Sequence, residues 1–234
     1  MAIADLRREY RIGGLDRADL DGSPLPQFEK WFADARHAQA GSRLRQIGIA
    51  LYKLWQALLG RTSAEVNAMT LATVSGDGIP STRTVLLKGV DARGFIFFTN
   101  YNSRKARELG ENPNAALTFF WPELERQVCV AGSITKLPVA ESETYFKSRP
   151  RGSQIGAWAS NQSTAVPNRA ALEASWDEIN SRFPDEIPLP PNWGGYVLSP
   201  KRIEFWQGRP SRLHDRFCYT KQPDNSWNLE RLSP

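Results

Sequence analysis

Four short segments of the chain combine cationic, hydroxyl and aromatic side chains at spacings that could bind anions. The first, Arg83–Lys88, is an apolar run with a cation at each end. Because side chains alternate between the faces of a strand, Arg83 and Lys88, five residues apart, are expected to lie on opposite faces and to serve different anions. Taken alone, the segment also fits an edge strand with two solvated charges.

The second segment, Thr99–Lys105, ends a predicted strand and begins a predicted helix. Free backbone N–H groups at the start of a helix attract phosphate, and Ser103, Arg104 and Lys105 add a hydroxyl and two cations. Each charge-assisted hydrogen bond contributes roughly 1.5–3 kcal/mol. An ordinary helix cap with surface charges explains the same residues equally well.

The third segment places a tyrosine, an arginine and a serine around a proline. Tyr145 and Arg149 are four residues apart and are therefore expected on one face of a helix. Ser153 follows just past the proline-bounded end of that helix. The three side chains could hold a second phosphate.

The fourth segment, Arg212–Arg216, places a histidine between two arginines. On an extended chain Arg212, His214 and Arg216 share one face, with Leu213 and Asp215 on the other. Three cationic or potentially cationic groups in a row repel one another unless an anionic or π-rich group lies against them. A lone histidine is usually structural, but its flanking arginines favour a ligand here.

The composition indicates a folded, basic protein of 234 residues with a net charge of +5. Its cations are dispersed, which favours discrete anion pockets over a continuous nucleic-acid-binding surface. Cys129 and Cys218 lie outside any metal-binding spacing, and with only His37 and His214 no zinc site can be assembled. The N-terminal residues are charged and lack an apolar core, so we expect no secretory signal and a cytoplasmic protein.

Short apolar runs separated by polar turns predict an antiparallel sheet or barrel with flanking helices in one domain spanning 1–234. The predicted strands are Met69–Val74, Thr82–Lys88, Phe95–Thr99, Ala115–Trp121, Gln127–Thr135, Tyr196–Leu198, Arg202–Trp206, Arg216–Thr220 and Trp227–Leu232. The predicted helices are Leu25–Ala38, Ser103–Glu111, Val139–Ser148 and Asn168–Phe183.

A further apolar stripe at helical spacing, Leu44–Leu59, contains Arg45 and Lys53. It is shorter than the ~20 apolar residues that a membrane span requires. We expect this helix to pack on its own domain or on a partner subunit, with a membrane surface as the alternative.

In this order, the segments resemble the pyridoxine/pyridoxamine 5′-phosphate oxidase family. The matching blocks are LRREY, RTVLLK, FFTNYNSRKARELGENP, LERQV, YFKSRPRGSQIGAWASNQS, WGGY, IEFWQG, RLHDR and the C-terminal RLSP. They cover nearly the whole chain except the Leu44–Leu59 region. The resemblance implies a mainly β (α+β) fold, an antiparallel split β-barrel of the FMN-binding type, and a homodimer with FMN at the subunit interface.

The resemblance also implies roles for individual residues. The cofactor would be bound by Arg83, Lys88, Phe98, Thr99, Ser103, Arg104, Lys105, Gln127, Gln162, Ser163, Trp206 and Arg216. The substrate would be bound by Arg7, Tyr10, Lys88, Tyr145, Arg149, Ser153, Arg212 and His214. Arg212 and His214 would be the catalytic pair that holds the pyridine ring against the flavin, and Arg7 with Tyr10 would cover the site.

The implied activity is oxidation of pyridoxine or pyridoxamine 5′-phosphate to pyridoxal 5′-phosphate, with FMN as cofactor and O2 as acceptor, releasing H2O2. Two departures stand out: Phe98 occupies a position where the family often has tyrosine, and residues of about 41–63 look inserted. Residues 1–24 are expected to cover the site. The alternatives are a split-barrel flavin reductase with another substrate, a non-catalytic carrier of FMN or pyridoxal phosphate, and, on charge alone, a nucleic-acid-binding protein.

Overall fold

The structure, a computed structural model, describes residues 3–5, 9–44 and 65–234. The strands of this part of the chain are β1 (Ala68–Val74), β2 (Pro80–Leu86), β3 (Gly89–Asp91), β4 (Gly94–Asn100), β5 (Asn114–Trp121), β6 (Arg126–Lys136), β7 (Trp193–Gln207), β8 (Asp215–Lys221) and β9 (Trp227–Leu232). Its helices are α1 (Pro24–Leu44), α2 (Arg104–Glu111), α3 (Val139–Lys147), α4 (Arg151–Ala159) and α5 (Arg169–Arg182).

The strands form one hydrogen-bonded sheet in the order β2-β1-β5-β6-β7-β4-β3, with β8 paired to β7 and β9 to β8. The pairs of β4 with β7 and of β7 with β8 are antiparallel, and their registers place Phe98 opposite Gly195 and Trp206 opposite Arg216. A mainly antiparallel sheet with flanking helices confirms the predicted split-barrel fold class.

By their internal contacts the residues form two compact units, each assembled from segments that are distant in sequence. The first unit comprises Met1–Thr70, Leu117–Ala131 and Pro200–Pro234, and the second comprises Leu71–Ala116 and Gly132–Ser199. The single domain over 1–234 stays a prediction.

The core of the first unit is aromatic. Helix α1 buries Phe28, Trp31 and Ala35, which share one face at helical spacing. The Phe28 ring lies 4.9 Å from that of Phe119, and Trp31 meets Phe205 edge-on at 5.1 Å. This packing confirms the predicted amphipathic helix.

The core of the second unit includes a helix that the sequence pattern does not predict. Ile155 of α4 is buried with Phe146, Ile179, Ile187 and Trp193. Because α4 begins directly after Pro150 and contains two glycines, its intrinsic helix propensity is low. Burial of Ile155 in this cluster stabilises the helix instead.

Two further elements differ from the prediction, and a third lies mostly outside the described residues. The runs Tyr196–Leu198 and Arg202–Trp206 belong to one 15-residue strand, β7. The predicted turn at 89–94 contains the short strand β3, which pairs with β4. The predicted insertion at about 41–63 begins within α1, which includes residues 41–44. The rest of it, with the predicted helix at 44–59 beyond its first residue, lies outside the described residues. Among the described helices, none combines the length and apolarity needed to cross a membrane.

Candidate active site

Most of the predicted ligand-binding residues of the second unit line one cleft of about 680 Å³. We call it the cationic cleft. Its lining includes Arg83, Lys88, Phe98, Thr99, Arg104, Lys105, Tyr145, Arg149, Ser153, Gln162 and Ser163. Strands β2 and β4, helices α2–α4 and the 160–163 segment therefore converge on the same space.

Arg83 and Lys88, which were predicted to lie on opposite faces of one strand, both line the cationic cleft. Strand β2 ends at Leu86, so the alternation of faces does not extend to Lys88. Beyond it the chain turns, and the Lys88 N–H donates to the Ile96 carbonyl at 2.8 Å. Both cations can therefore contact a ligand in the cleft.

Lys105 is the buried cation of the cleft. Its Nζ donates to Gln162 Oε1 at 2.9 Å, to Thr99 Oγ1 at 3.1 Å and to Ser103 Oγ at 3.3 Å. Burial, reinforced by the nearby charge of Arg83, lowers the pKa of Lys105 to about 8. The side chain is therefore an ammonium at neutral pH, held where it can meet an anion.

Ser103 is the N-cap residue of α2, but its side chain makes no capping bond and instead accepts from Lys105. The helix start therefore carries a cation bound to its cap residue, together with exposed Arg104. This arrangement suits phosphate, which favours helix N-termini and cations.

Arg149, in contrast to Lys105, lies among aromatic rings. Its guanidinium stands 4.7 Å from the centre of the Trp193 ring, and Phe98 stacks on Tyr145 at 3.9 Å and on Trp193 at 5.5 Å. Burial lowers the pKa of Arg149, and its buried Nη1 has no hydrogen-bond partner among the described residues. A buried donor of this kind is satisfied when an anion binds.

The helical-face argument for Tyr145 and Arg149 is only partly right. Helix α3 ends at Lys147, so Arg149 lies beyond it, and Ser153 lies in the first turn of α4 rather than in a loop. The three side chains still converge on the cleft, because the tight α3–α4 connection folds them together.

A second group of predicted residues lies in the first unit and forms what we call the aromatic cluster: Tyr10, Trp206 and His214. The Trp206 and His214 rings are 4.6 Å apart, and Tyr10 meets them edge-on at 5.5 and 5.8 Å. Burial and the charge of Arg212 lower the pKa of His214, against the opposing charge of Asp215. The imidazole is therefore biased towards its neutral form, and its Nδ1 accepts from the Arg209 N–H at 3.1 Å.

The extended face predicted for Arg212, His214 and Arg216 is wrong at Arg212. Pro210–Arg212 is a turn of 3-10 helix in which Ser211 and Arg212 have φ of 56° and 63°, and β8 begins only at Asp215. Arg212 is exposed, whereas Arg216 donates to Glu204 Oε1 at 2.8 Å. The strand alternation thus applies to Arg216 but not to the turn before it.

The remaining predicted residues lie elsewhere. Gln127, on β6 in the first unit, is half-buried and donates to Cys129 Sγ at 3.3 Å. Arg7 lies outside the described residues. The predicted set omits Glu108, a buried carboxylate that contacts two cations of the cleft. The spacing of Arg104 and Glu108, four apart on a helix, was the available signal.

Comparison with known proteins identifies relatives along the whole chain. Residues 59–183 match the family described as pyridoxamine 5′-phosphate oxidase, and residues 193–234 match the pyridoxine 5′-phosphate oxidase C-terminal dimerisation region. The chain is 53% identical over 233 residues to pyridoxine/pyridoxamine 5′-phosphate oxidase 1 of Ralstonia nicotianae, covering 100% of this chain and 99% of that protein. A pyridoxine/pyridoxamine 5′-phosphate oxidase of Ralstonia pickettii is equally similar, at 53% identity and the same coverage.

Solved structures of the same fold include PhzG from Burkholderia lata in complex with tetrahydrophenazine-1-carboxylic acid. It superposes with a TM-score of 0.79 at 29% identity, covering 93% of this chain and 95% of that one. An FMN-binding protein from Nostoc punctiforme shares the fold, with a TM-score of 0.61 at 21% identity over 73% of this chain and 90% of that one. The matches along the full sequence carry the assignment: this chain belongs to the pyridoxine/pyridoxamine 5′-phosphate oxidase family.

Proposed function

We propose that the protein is an FMN-dependent oxidase that converts pyridoxine 5′-phosphate or pyridoxamine 5′-phosphate to pyridoxal 5′-phosphate. The observation that carries the proposal is the presence of two cation sets in one cleft. One set is Arg83, Arg104 and Lys105, and the other is Lys88 with Arg149. A phosphorylated cofactor and a phosphorylated substrate together require two anion sites.

The first cation set suits the phosphate of FMN. Lys105 supplies a buried ammonium, and Arg104 lies beside it at the start of α2. Thr99 and Gln162 contact Lys105 and are the uncharged members of the same wall. When bound, FMN supplies the hydride acceptor that O2 reoxidises, so the task of the protein is to orient and to balance charge.

The second set suits the phosphate of the substrate. Arg149 presents a buried Nη1 that has no hydrogen-bond partner within the described part of the chain, and the hydroxyls of Tyr145 and Ser153 line the same cleft with Lys88. A phosphate bound to arginine in a partly buried site gains charge-assisted hydrogen bonds that an unphosphorylated substrate cannot make there. We therefore propose that the cleft selects phosphorylated substrates.

The pyridine ring is assigned to residues of the first unit on the family resemblance. Arg212 and His214 would hold the ring, Trp206, Gln127 and Arg216 would contact the cofactor, and Tyr10 with Arg7 would cover the site. The neutral bias of His214 fits a group that donates or accepts a hydrogen bond without adding charge. A homodimer with FMN at its interface belongs to the same proposal, supported by the match to a dimerisation region.

The test is direct. The purified protein should show the visible absorbance of bound FMN, consume O2 and release H2O2 with pyridoxine 5′-phosphate and pyridoxamine 5′-phosphate, and react poorly with unphosphorylated pyridoxine. Flavin binding without turnover of either phosphate would favour the carrier alternative, and oxidation of a nicotinamide cofactor alone would favour the reductase.

The likeness to PhzG supports a second candidate, an oxidase whose substrate is a reduced phenazine carboxylic acid. That ligand carries a carboxylate but no phosphate, so it would make fewer charge-assisted hydrogen bonds to Lys88 and Arg149. Tetrahydrophenazine-1-carboxylic acid offered beside pyridoxine 5′-phosphate distinguishes the two: faster turnover of the phenazine would overturn our assignment.

A further inference from the structure

Glu108 is a buried carboxylate on α2, in the second unit. It contacts two of the cations that the proposed function assigns to the FMN phosphate. Glu108 Oε1 accepts from Arg104 Nε at 2.8 Å, and its Oε2 accepts from Arg83 Nη2 at 3.1 Å. The hydroxyls of Ser81 and Thr73 donate to the same Oε2 at 2.6 and 2.5 Å. Arg83 also donates to both hydroxyl groups, so the carboxylate and the guanidinium share two bridging side chains.

The exposure of these groups separates their roles. The Glu108 side chain is only 5% exposed, against 19% for Arg83 and 59% for Arg104. Burial alone would raise the pKa of Glu108, but hydrogen bonds from Ser81, Thr73 and the two arginines lower it to about 2. The carboxylate is therefore a fixed negative charge, whereas both arginines reach the cleft.

We propose that Glu108 is a positioning residue of the cofactor site, whose carboxylate holds the guanidinium groups of Arg83 and Arg104 at the wall of the cleft and balances the cation cluster there. The inference rests on the proposed function, because FMN supplies the phosphate that these cations would bind. Glu108 itself does not touch the phosphate in this account.

The charge balance extends to Lys105. The charged groups that act on it are Arg83 from β2 and Glu108 from α2, whereas Thr99 of β4 and Gln162 offer only uncharged contacts. Burial and then Arg83 lower the pKa of Lys105, and Glu108 raises it. Without the carboxylate, this pKa falls below about 8, and the ammonium is lost at a lower pH.

The consequence is a pH signature. In the wild type, the affinity for the phosphate of FMN decreases as the pH rises through the pKa of Lys105 near 8, because the neutral amine no longer attracts it. In Glu108→Gln the same decrease begins at a lower pH. A residue that only stabilised the fold would not move this profile.

The experiment titrates the full-length protein, freed of flavin, with FMN and with riboflavin, which lacks the phosphate, between about pH 7 and pH 9. Glu108→Gln should weaken FMN binding roughly tenfold or more while leaving riboflavin binding within about twofold, with the pH break displaced downward. Glu111→Gln is the matched control: it lies on the same helix, its carboxylate accepts from the Gly76 N–H at 2.8 Å, and both affinities should match the wild type.

Tighter FMN binding by Glu108→Gln would overturn the inference, because the carboxylate would then only repel the phosphate. Equal losses for FMN and riboflavin would overturn it as well, since they indicate general damage. If Glu108→Gln does not fold, Ser81→Ala takes its place, because it removes one hydroxyl that bridges Arg83 to Glu108. This variant should lose affinity for FMN, by a smaller factor, and keep its affinity for riboflavin. Equal losses for the two flavins would overturn the inference. Failure of the wild type to bind FMN would refute the proposed function instead.

Discussion

The cationic cleft and the aromatic cluster hold their charged groups by different means. In the cleft, buried partners surround the cations: Lys105 donates to three side chains and Arg83 to the Glu108 network. In the first unit, Arg212 is exposed on a left-handed turn, and Arg216 is paired with Glu204. The cleft is therefore preorganised by packing and ion pairs, whereas the position of Arg212 depends on backbone conformation.

The two regions therefore suit different parts of the chemistry. Preorganised cations with buried partners bind an anion with little rearrangement, which is what a phosphate anchor requires. The aromatic cluster offers edge-on and tilted aromatic rings, with a histidine biased towards its neutral form, and such groups suit a planar ring. We expect substitutions in the cleft to change phosphate binding, and substitutions around the cluster to change local order and the titration of His214.

The largest effect is expected from Lys105→Met, which removes the buried ammonium of the cleft. FMN affinity at about pH 7 should fall by roughly 100-fold, since a charge-assisted hydrogen bond is lost and the buried carboxylate of Glu108 stays behind. The pH dependence above 8 should disappear with it. Fluorescence titration measures both. Lys136→Met is the control, because Lys136 stacks over Tyr101, does not line the cleft and should leave FMN binding unchanged.

The next effect concerns Gly195, which lies opposite Phe98 in the sheet. A Cβ here would stand 2.6 Å from Leu137 Cδ1 and 2.8 Å from Phe98 Cε1. Gly195→Ala should lower the free energy of unfolding by about 1–3 kcal/mol and displace the Phe98 ring from Tyr145. Urea denaturation measures the loss. Gly89→Ala, whose Cβ would meet Ile96 at an ordinary 3.7 Å, should cost less, and equal stability of the two variants would contradict the packing account.

The corresponding glycine of the first unit is Gly208, whose Cβ would lie 2.7 Å from Tyr10 Cγ. The segment that contains Tyr10 is attached through the Glu125 carboxylate, which accepts from the Arg11 and Ile12 N–H groups. We therefore expect an added Cβ at Gly208 to displace this segment rather than the core. Gly208→Ala should cost less than about 1 kcal/mol yet accelerate trypsin cleavage after Arg11. Gly22→Ala, with open space around its Cβ, should leave the cleavage rate unchanged.

The smallest expected effect is a change in the pKa of His214. The pKa of His214 should lie below the usual 6.5, because burial and Arg212 both disfavour the imidazolium. Arg212→Met removes a cation and should raise this pKa, so the protonated fraction at a given pH increases. Proton NMR of the imidazole follows it, with the His37 resonance as an internal reference. No change would mean that Arg212 and His214 do not interact electrostatically.

The sequence predicted which residues line the cleft better than it predicted the reasons for their convergence. Alternation placed Arg83 correctly on β2 but failed at Lys88, because the strand ends two residues earlier and no pattern in RTVLLK marks that end. Helix α4 was missed since tertiary burial of Ile155, not propensity, stabilises it. The left-handed φ of Ser211 and Arg212 could not be read from residue types that normally avoid it.

The buried hydrogen-bond network around Glu108 could not be predicted from the sequence either. Glu108 stands in an ordinary helical pattern, and its bonds to Thr73 and Ser81 join residues 35 and 27 positions away, a proximity that only the fold creates. By contrast, the amphipathic face of α1 and the antiparallel strands followed directly from local periodicity, which is why the fold class was predictable.

Recognition of the substrate phosphate by Arg149 is measured by the ratio of kcat/KM for pyridoxine 5′-phosphate to that for pyridoxine. The wild type should favour the phosphate strongly, Arg149→Met should reduce the ratio by roughly 10–100-fold, and Lys147→Met, which removes an exposed cation two residues earlier, should leave it intact. A wild-type ratio near one, or an unchanged ratio in Arg149→Met, would contradict the account.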